Sequence, residues 1–154
     1  MKKPAILIST IFGLGYFPKA PGTIGTLFAA IVYFLLPNYI FERFINQIYL
    51  LVLIIILSCI SVIFINKAEK KLGHDNGRII IDEFFGYFIS ILFLPKTLFV
   101  CAGAFILFRI FDIFKPEPVN ILQKLPGGWG VLADDIMAGI YANLVLQVVV
   151  RLVH

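Results

Sequence analysis

The sequence predicts an all-α fold: a polytopic helical membrane protein with about four or five spanning helices and a short N-terminal re-entrant or interfacial helix, in one domain over residues 1–154. Three observations point there. Hydrophobic residues make up 60% of the chain and charged residues 14%, against about 25% charged in ordinary soluble domains, and the mean hydropathy is +0.98. The run Ile48 to Ile65 is uncharged and rich in leucine and isoleucine, as a helix surrounded by lipid must be. Further apolar runs alternate with loops bearing proline and glycine, and no linker, low-complexity stretch or internal repeat separates them.

The first apolar run, Ala5 to Phe17, is too short to cross hydrocarbon, which takes about 20 residues of helix, so it reads as the re-entrant or interfacial piece. Its Met1-Lys2-Lys3 start mimics a secretion signal. Gly13, Gly15 and Pro18 interrupt the run, however, and no small-residue cleavage site stands out, so it is expected to stay in the mature fold. Pro21 suits a first helical position, and apolar sequence continues from Ile24 to Leu36 until Pro37-Asn38 stops it. Ile48 to Ile65 is the plainest span, and a polar loop from Asn66 to Arg78 follows. Ile79 to Leu94 forms the next helix, with Asp82 and Glu83 near its beginning. Thr97 to Phe114 returns, carrying Arg109 and Asp112 toward its end. A loop from Lys115 to Gly130 holds Pro116, Pro118, Pro126 and Gly127-Gly128, and the last helix is expected over Ala133 to Val153, with Asp134 and Asp135 in its first turn.

The net charge of +4 does not point to nucleic acid, because the basic residues are scattered at segment ends, where they meet lipid headgroups. The expected partner is the bilayer. If the first short helix dips in and returns, nine basic residues (Lys2, Lys3, Lys19, Lys67, Lys70, Lys71, Arg78, Lys115 and Lys124) fall on one side. Three (Arg43, Lys96 and Arg151) fall on the other. The richer side is expected to be cytoplasmic. The same topology brings Pro21 to Thr26, Asp82 with Glu83, Asp112, and Asp134 with Asp135 to that face. Cys59 and Cys101 lie in apolar runs without metal-type spacing and read as small buried hydrophobes.

Five of the nine acidic residues, Asp82, Glu83, Asp112, Asp134 and Asp135, lie at helix ends against apolar sequence, where carboxylates are costly unless paired or bound to a cation. Such hard oxygen ligands suit Mg²⁺. Neighbouring helical residues project about 100° apart, so Asp82 and Glu83 are expected to divide the work, one on metal and one on a water or second ion. The plain alternative is that Asp134 caps the last helix while Asp135 favours its dipole, and that Asp82 and Glu83 begin theirs. Capping leaves the convergence of three helices unexplained. Arg109 and Asp112, three apart, share a helix face and can simply pair; Lys115 extends that face. Either cation can instead hold phosphate. The segment Ala20 to Thr26 opens a helix with small residues and two hydroxyls, Thr23 and Thr26, and can cradle an anion, although it lacks the lysine of a P-loop. His74 and Asp75 read as solvated loop residues. Several familiar motifs are absent: the residue six after Cys101 is Leu107, so it begins no Cys-x5-Arg loop, and neither an Asp-x-Asp-x-Thr motif nor a phosphohistidine arrangement occurs. Water activated at a metal, or a carboxylate nucleophile, remains.

Four blocks resemble the phosphatidylglycerophosphatase A family: Phe17-Pro18-Lys19-Ala20-Pro21-Gly22-Thr23-Ile24-Gly25-Thr26; Ile81-Asp82-Glu83-Phe84-Phe85-Gly86; Phe108 to Pro118; and Pro126 to Gly139. The resemblance implies a Mg²⁺-dependent phosphatase that removes the terminal phosphate of phosphatidylglycerophosphate, giving phosphatidylglycerol, in the bacterial inner membrane with the active site at the cytoplasmic face. With that substrate, the expected mechanism places one or two Mg²⁺ between Asp82, Glu83, Asp134 and Asp135. Arg109, Lys19, Lys115, Thr23 and Thr26 hold phosphate, and Asp112 orients water or adds a ligand. A covalent intermediate on Asp112 or Asp135 is the rival within enzymes. A transporter or channel, with carboxylates marking an ion route, is the rival from another class; it predicts acids at mid-membrane depth. A membrane scaffold packed on Ala138-x-x-x-Ala142 needs no such acids.

Overall fold

The computed structural model describes residues 2–153 and every side chain among them except that of Lys2; Met1, at the head of the signal-like start, and His154 lie outside the described residues. All regular structure in them is helical: α1 (Lys2–Ser9), a 3₁₀ turn (Leu14–Tyr16), α2 (Pro21–Leu35), α3 (Tyr39–Glu42), α4 (Phe44–Leu72), α5 (Ile81–Ile91), α6 (Leu98–Phe114), α7 (Val119–Leu122) and α8 (Gly128–Val153).

The N-terminal run is not one helix. Ile11, Phe12 and Gly13 have φ of 45°, 55° and 94°, which no α-helix accommodates, so α1 ends at Ser9 and the chain turns. Ile6 of α1 packs with Ile65 and Ala68 near the end of α4 and with Ile79, so this segment lies along a longer helix.

Two helices, α4 with 29 residues and α8 with 26, are long and apolar enough to cross a membrane. At 1.5 Å per residue they reach about 43 and 39 Å, against about 30 Å of hydrocarbon. The expected four or five are not met by this measure, because α2, α5 and α6 contain 15, 11 and 17 residues. The helix α4 outruns the predicted span at both ends, and Asn66 to Leu72, expected as loop, stays helical. Along its middle, Val52, Leu53, Ile55, Ile56, Leu57, Ile60 and Ile63 are each 45–54% exposed, an apolar surface that water does not tolerate and lipid does.

The short helix α5 is the hub, packed against α2, α4, α6 and α8. Its contact with α8 is made by two glycines. A Cβ on Gly86 would lie 2.7 Å from the Asp135 carbonyl, and one on Gly139 would overlap the Gly86 carbonyl. The buried Ala138 and Ala142 continue this small-residue face, so the Ala138-x-x-x-Ala142 stripe is a packing seam. Asp82 stands four residues before Gly86 and Asp135 four before Gly139, which is one helical turn in each case. The glycine crossing therefore carries the two acids toward each other.

Candidate active site

The carboxylates of Asp82, Glu83 and Asp135 each offer an oxygen within 4.8 Å of the others. Asp82 and Glu83 come from the first turn of α5, as expected. Although neighbours on the helix, they reach one cluster: the longer Glu83 side chain brings an oxygen to within 4.8 Å of one from Asp82. Asp82 and Asp135 are buried, and Asp82 Oδ1, Glu83 Oε2 and Asp135 Oδ2 are buried oxygens without a hydrogen-bond partner among the described residues. Three converging carboxylates, each with one unpartnered oxygen among the described residues, are a costly arrangement for a protein alone, and they match the hard-oxygen donor set of a divalent cation. By this test the cluster fits Mg²⁺.

The helix α8 begins at Gly128, five residues before the expected Ala133, and has no acid in its first turn. Asn66 of α4 supplies the reason: its Oδ1 accepts the Gly128 N–H at 2.8 Å and satisfies one of the N–H groups a helix start leaves open. Asp134 and Asp135 thus sit in the second turn, where neither serves as a cap, and the capping account of this pair fails. Asp134 is also separate from the three-carboxylate cluster. Its Oδ2 accepts from Lys115 Nζ at 2.6 Å.

Arg109 pairs with Asp112 at 2.5 Å on one face of α6, and Arg109 Nε is buried with no partner among the described residues. Gly22, in the first turn of α2, makes room for this assembly. A Cβ there would overlap Glu83 Oε1 and lie 3.1 Å from Arg109 Nη1. The start of α2 therefore abuts the acids with no side-chain cap, since Ala20 at the cap position, in the left-handed region with φ 49°, has none to give. Burial works against the Lys115 ammonium, but its hydrogen bond to Asp134 and the charges of Asp134, Asp112 and Asp135 outweigh that and raise its pKa.

The phosphatidylglycerophosphatase A family model matches residues 7–150. The chain belongs to the phosphatidylglycerophosphatase A family. It is 37% identical to the phosphatidylglycerophosphatase A of Escherichia coli K12 over 95% of this chain and 83% of that protein. It is also 37% identical to the enzyme of the same name from Haemophilus influenzae, over 93% of this chain and 86% of that protein. A Bacteroides thetaiotaomicron protein provisionally named a phosphatidylinositol-3-phosphatase is 38% identical over 96% of both chains. No solved structure matches the chain.

As a member of the phosphatidylglycerophosphatase A family the protein is a membrane-associated phosphatase of phospholipid synthesis. Of the residues read as phosphate ligands, Arg109 and Lys115 lie beside the acids, and Thr23 is half-buried in the first turn of α2. Thr26 is fully buried and donates its hydroxyl to the Gly22 carbonyl at 2.9 Å, while Lys19 is exposed in the bend before α2. His74 is exposed, as expected of a solvated loop residue, and its Nδ1 meets Glu69 Oε1 at 2.6 Å. Asp75 Oδ2 accepts from Gln123 at 2.9 Å, tying the 73–80 loop to the α7 region. The packing role of the crossing glycines is tertiary, and the sequence signals it only through the four-residue offsets of Gly86 from Asp82 and Gly139 from Asp135.

Proposed function

We propose that the protein is a Mg²⁺-dependent phosphatase that hydrolyses the terminal phosphate of phosphatidylglycerophosphate to give phosphatidylglycerol and phosphate. The observation that carries this reading is the three-carboxylate cluster with its unpartnered oxygens beside two cationic side chains. Bound Mg²⁺ would supply charge neutralisation at phosphorus and a more acidic attacking water. The chain's own residues do the rest. Asp82, Glu83 and Asp135 hold the cation. Arg109, fixed by Asp112, takes phosphate oxygens and stabilises the charge that builds on them, and Lys115, fixed by Asp134, binds the phosphate. The uncapped start of α2 lends backbone N–H donors. Asp112, close to this charge, orients the attacking water.

In the bilayer, α2, α4, α5, α6 and α8 run back and forth between the acidic end and its opposite, with α5 enclosed by the others. The acidic end faces the cytoplasm of a bacterial inner membrane, as the nine-to-three division of basic residues supports. The acids lie in the first two turns of α5 and α8, at one end, which favours an interfacial headgroup site over an ion route through the core.

The Bacteroides relative supports a second reading of the substrate, an inositol lipid 3-phosphate. One assay separates them: phosphate release by the purified full chain from phosphatidylglycerophosphate and from phosphatidylinositol 3-phosphate, in Mg²⁺ and in excess chelator. Release from the first lipid, abolished by chelator and restored by Mg²⁺, is expected. Preference for the inositol lipid transfers the specificity, and full turnover in chelator removes the metal mechanism.

A further inference from the structure

We propose that Asp134 is a positioning residue, not a metal ligand: it holds the Lys115 ammonium in place to bind the substrate's terminal phosphate, and the cation site is built from Asp82, Glu83 and Asp135 alone. This rests on the phosphatase reading above and divides its acids into two sets.

The division follows from the fate of individual oxygens. Asp82, Glu83 and Asp135 each have an oxygen buried without a partner among the described residues. In Asp134 both oxygens are engaged: Oδ2 accepts from Lys115 Nζ at 2.6 Å, and Oδ1 accepts the Asp135 backbone N–H at 3.0 Å. Its side chain is 4% exposed. A cation drawn to this carboxylate would have to share it with the Lys115 ammonium already paired there, and the two positive charges repel each other at that range. Helix geometry agrees. Neighbours on α8 point about 100° apart, so with Asp135 directed at α5, Asp134 is turned to the end of α6.

Lys115 needs such an anchor. It closes α6 in the left-handed region, φ 46°, where its N–H bonds to the Phe111 carbonyl, and the chain departs at Pro116. The ammonium then hangs on a flexible four-carbon stem, and Asp134 is the carboxylate that pairs with it. The Lys115 side chain remains 26% exposed, so a phosphate can reach it from the water side without displacing Asp134. Lysine carries three donors, and among the described residues Asp134 occupies one of them, which leaves two for phosphate oxygens.

The test uses the detergent-solubilised full chain and two readouts, Mn²⁺ affinity of the metal-free protein and steady-state kinetics of phosphate release. Asp134→Asn should leave Mn²⁺ affinity within about twofold of wild type, whereas Asp135→Asn should lower it more than about tenfold. The same Asp134→Asn protein should show KM raised about tenfold with kcat changed less than about threefold, because the lysine is still present but no longer held. Asp134→Glu, which keeps the charge, should recover part of that loss. Lys115→Met should raise KM at least as much, and adding Asp134→Asn to it should cost little more, as coupled residues do. Loss of Mn²⁺ affinity in Asp134→Asn equal to that in Asp135→Asn overturns the proposal, and so do fully additive KM effects. Should Asp134→Asn fail to fold, Lys115→Met decides alone: unchanged Mn²⁺ affinity with raised KM supports the proposal, and an unchanged KM overturns it. A wild-type chain that neither takes up Mn²⁺ nor releases phosphate defeats the phosphatase reading itself, and this proposal with it.

Discussion

The two ends of the bundle both carry polar side chains inside an apolar protein, and they differ in where those side chains send their hydrogen bonds. At the end opposite the acids, Gln47 donates to the Phe41 carbonyl at 2.8 Å and accepts from the Phe93 N–H. Asn143 donates to the carbonyls of Ser90 and Leu92 at 3.1 and 2.8 Å, and Lys96 donates to Phe34 at 2.9 Å and to Leu36. Each serves backbone groups that a helix end leaves open. At the acidic end, by contrast, three carboxylates and the Arg109 Nε keep atoms unpartnered among the described residues. Polar groups that finish the backbone's hydrogen bonds belong to the fold. Among the described residues, buried and unpartnered charged groups occur at the acidic end, whereas the buried unpartnered atom at the other end, Tyr33 Oη, is uncharged.

The sharpest break between the ends should come from paired substitutions. Asp82→Asn or Asp135→Asn removes the charge that faces the cation and keeps the shape, so turnover should fall by at least about 10²- to 10³-fold while the protein folds and inserts. Asn143→Leu, at the other end, should leave turnover per folded molecule nearly intact and cost about 1–3 kcal/mol of stability by removing the donor to the Ser90 carbonyl and the shorter of two donors to the Leu92 carbonyl. Phosphate release and thermal unfolding on the same samples check both. If Asn143→Leu abolishes turnover in folded protein, the two ends are not functionally distinct.

Gly139→Ala probes the link between the crossing and the site. A methyl group there overlaps the Gly86 carbonyl, so α5 and α8 must separate. The expected cost is about 1–3 kcal/mol, with a loss of turnover as Asp82 and Asp135 move apart. A variant with unchanged melting temperature and activity would show that the crossing does not place the acids.

Much of this was legible in the residues. The uncharged run within α4 marked a membrane helix, Pro21 marked the start of α2, and Thr97 stands as the cap of α6, accepting the Val100 N–H at 3.2 Å. The five acids were recognisable because carboxylates amid apolar sequence need a partner. What the sequence concealed was tertiary. Local punctuation at Gly127-Gly128 argued for a loop, but the Asn66 side chain, 62 residues away, caps the helix there and moves Asp134 and Asp135 into the second turn. The separation of Asp134 from the cluster depends on where α6 delivers Lys115, which no local spacing encodes. Helix length is also tertiary in origin: α4 and α8 are long and apolar enough to cross a membrane, whereas the apolar run from Ile79 folds as α5, an 11-residue helix enclosed by its neighbours.

The smallest effect is expected at Thr26. Its hydroxyl is fully buried and engaged with the Gly22 carbonyl, so Thr26→Val should leave KM unchanged and cost no more than about 1 kcal/mol. A tenfold rise in KM would return this hydroxyl to phosphate binding.

The central claim is that the unpartnered oxygens of Asp82, Glu83 and Asp135 form a cation site, and thermal unfolding tests it without reference to any lipid. Wild-type protein should melt several degrees higher in Mg²⁺ than in chelator, because a ligand that binds only the folded state stabilises it by about 2.7 kcal/mol at a hundred times its Kd. Asp82→Asn should lose that response, and in chelator it should melt at or above the wild-type temperature, since one of three crowded charges is gone. A wild-type melting temperature indifferent to Mg²⁺, together with an Asp82→Asn protein destabilised in chelator, would contradict the account.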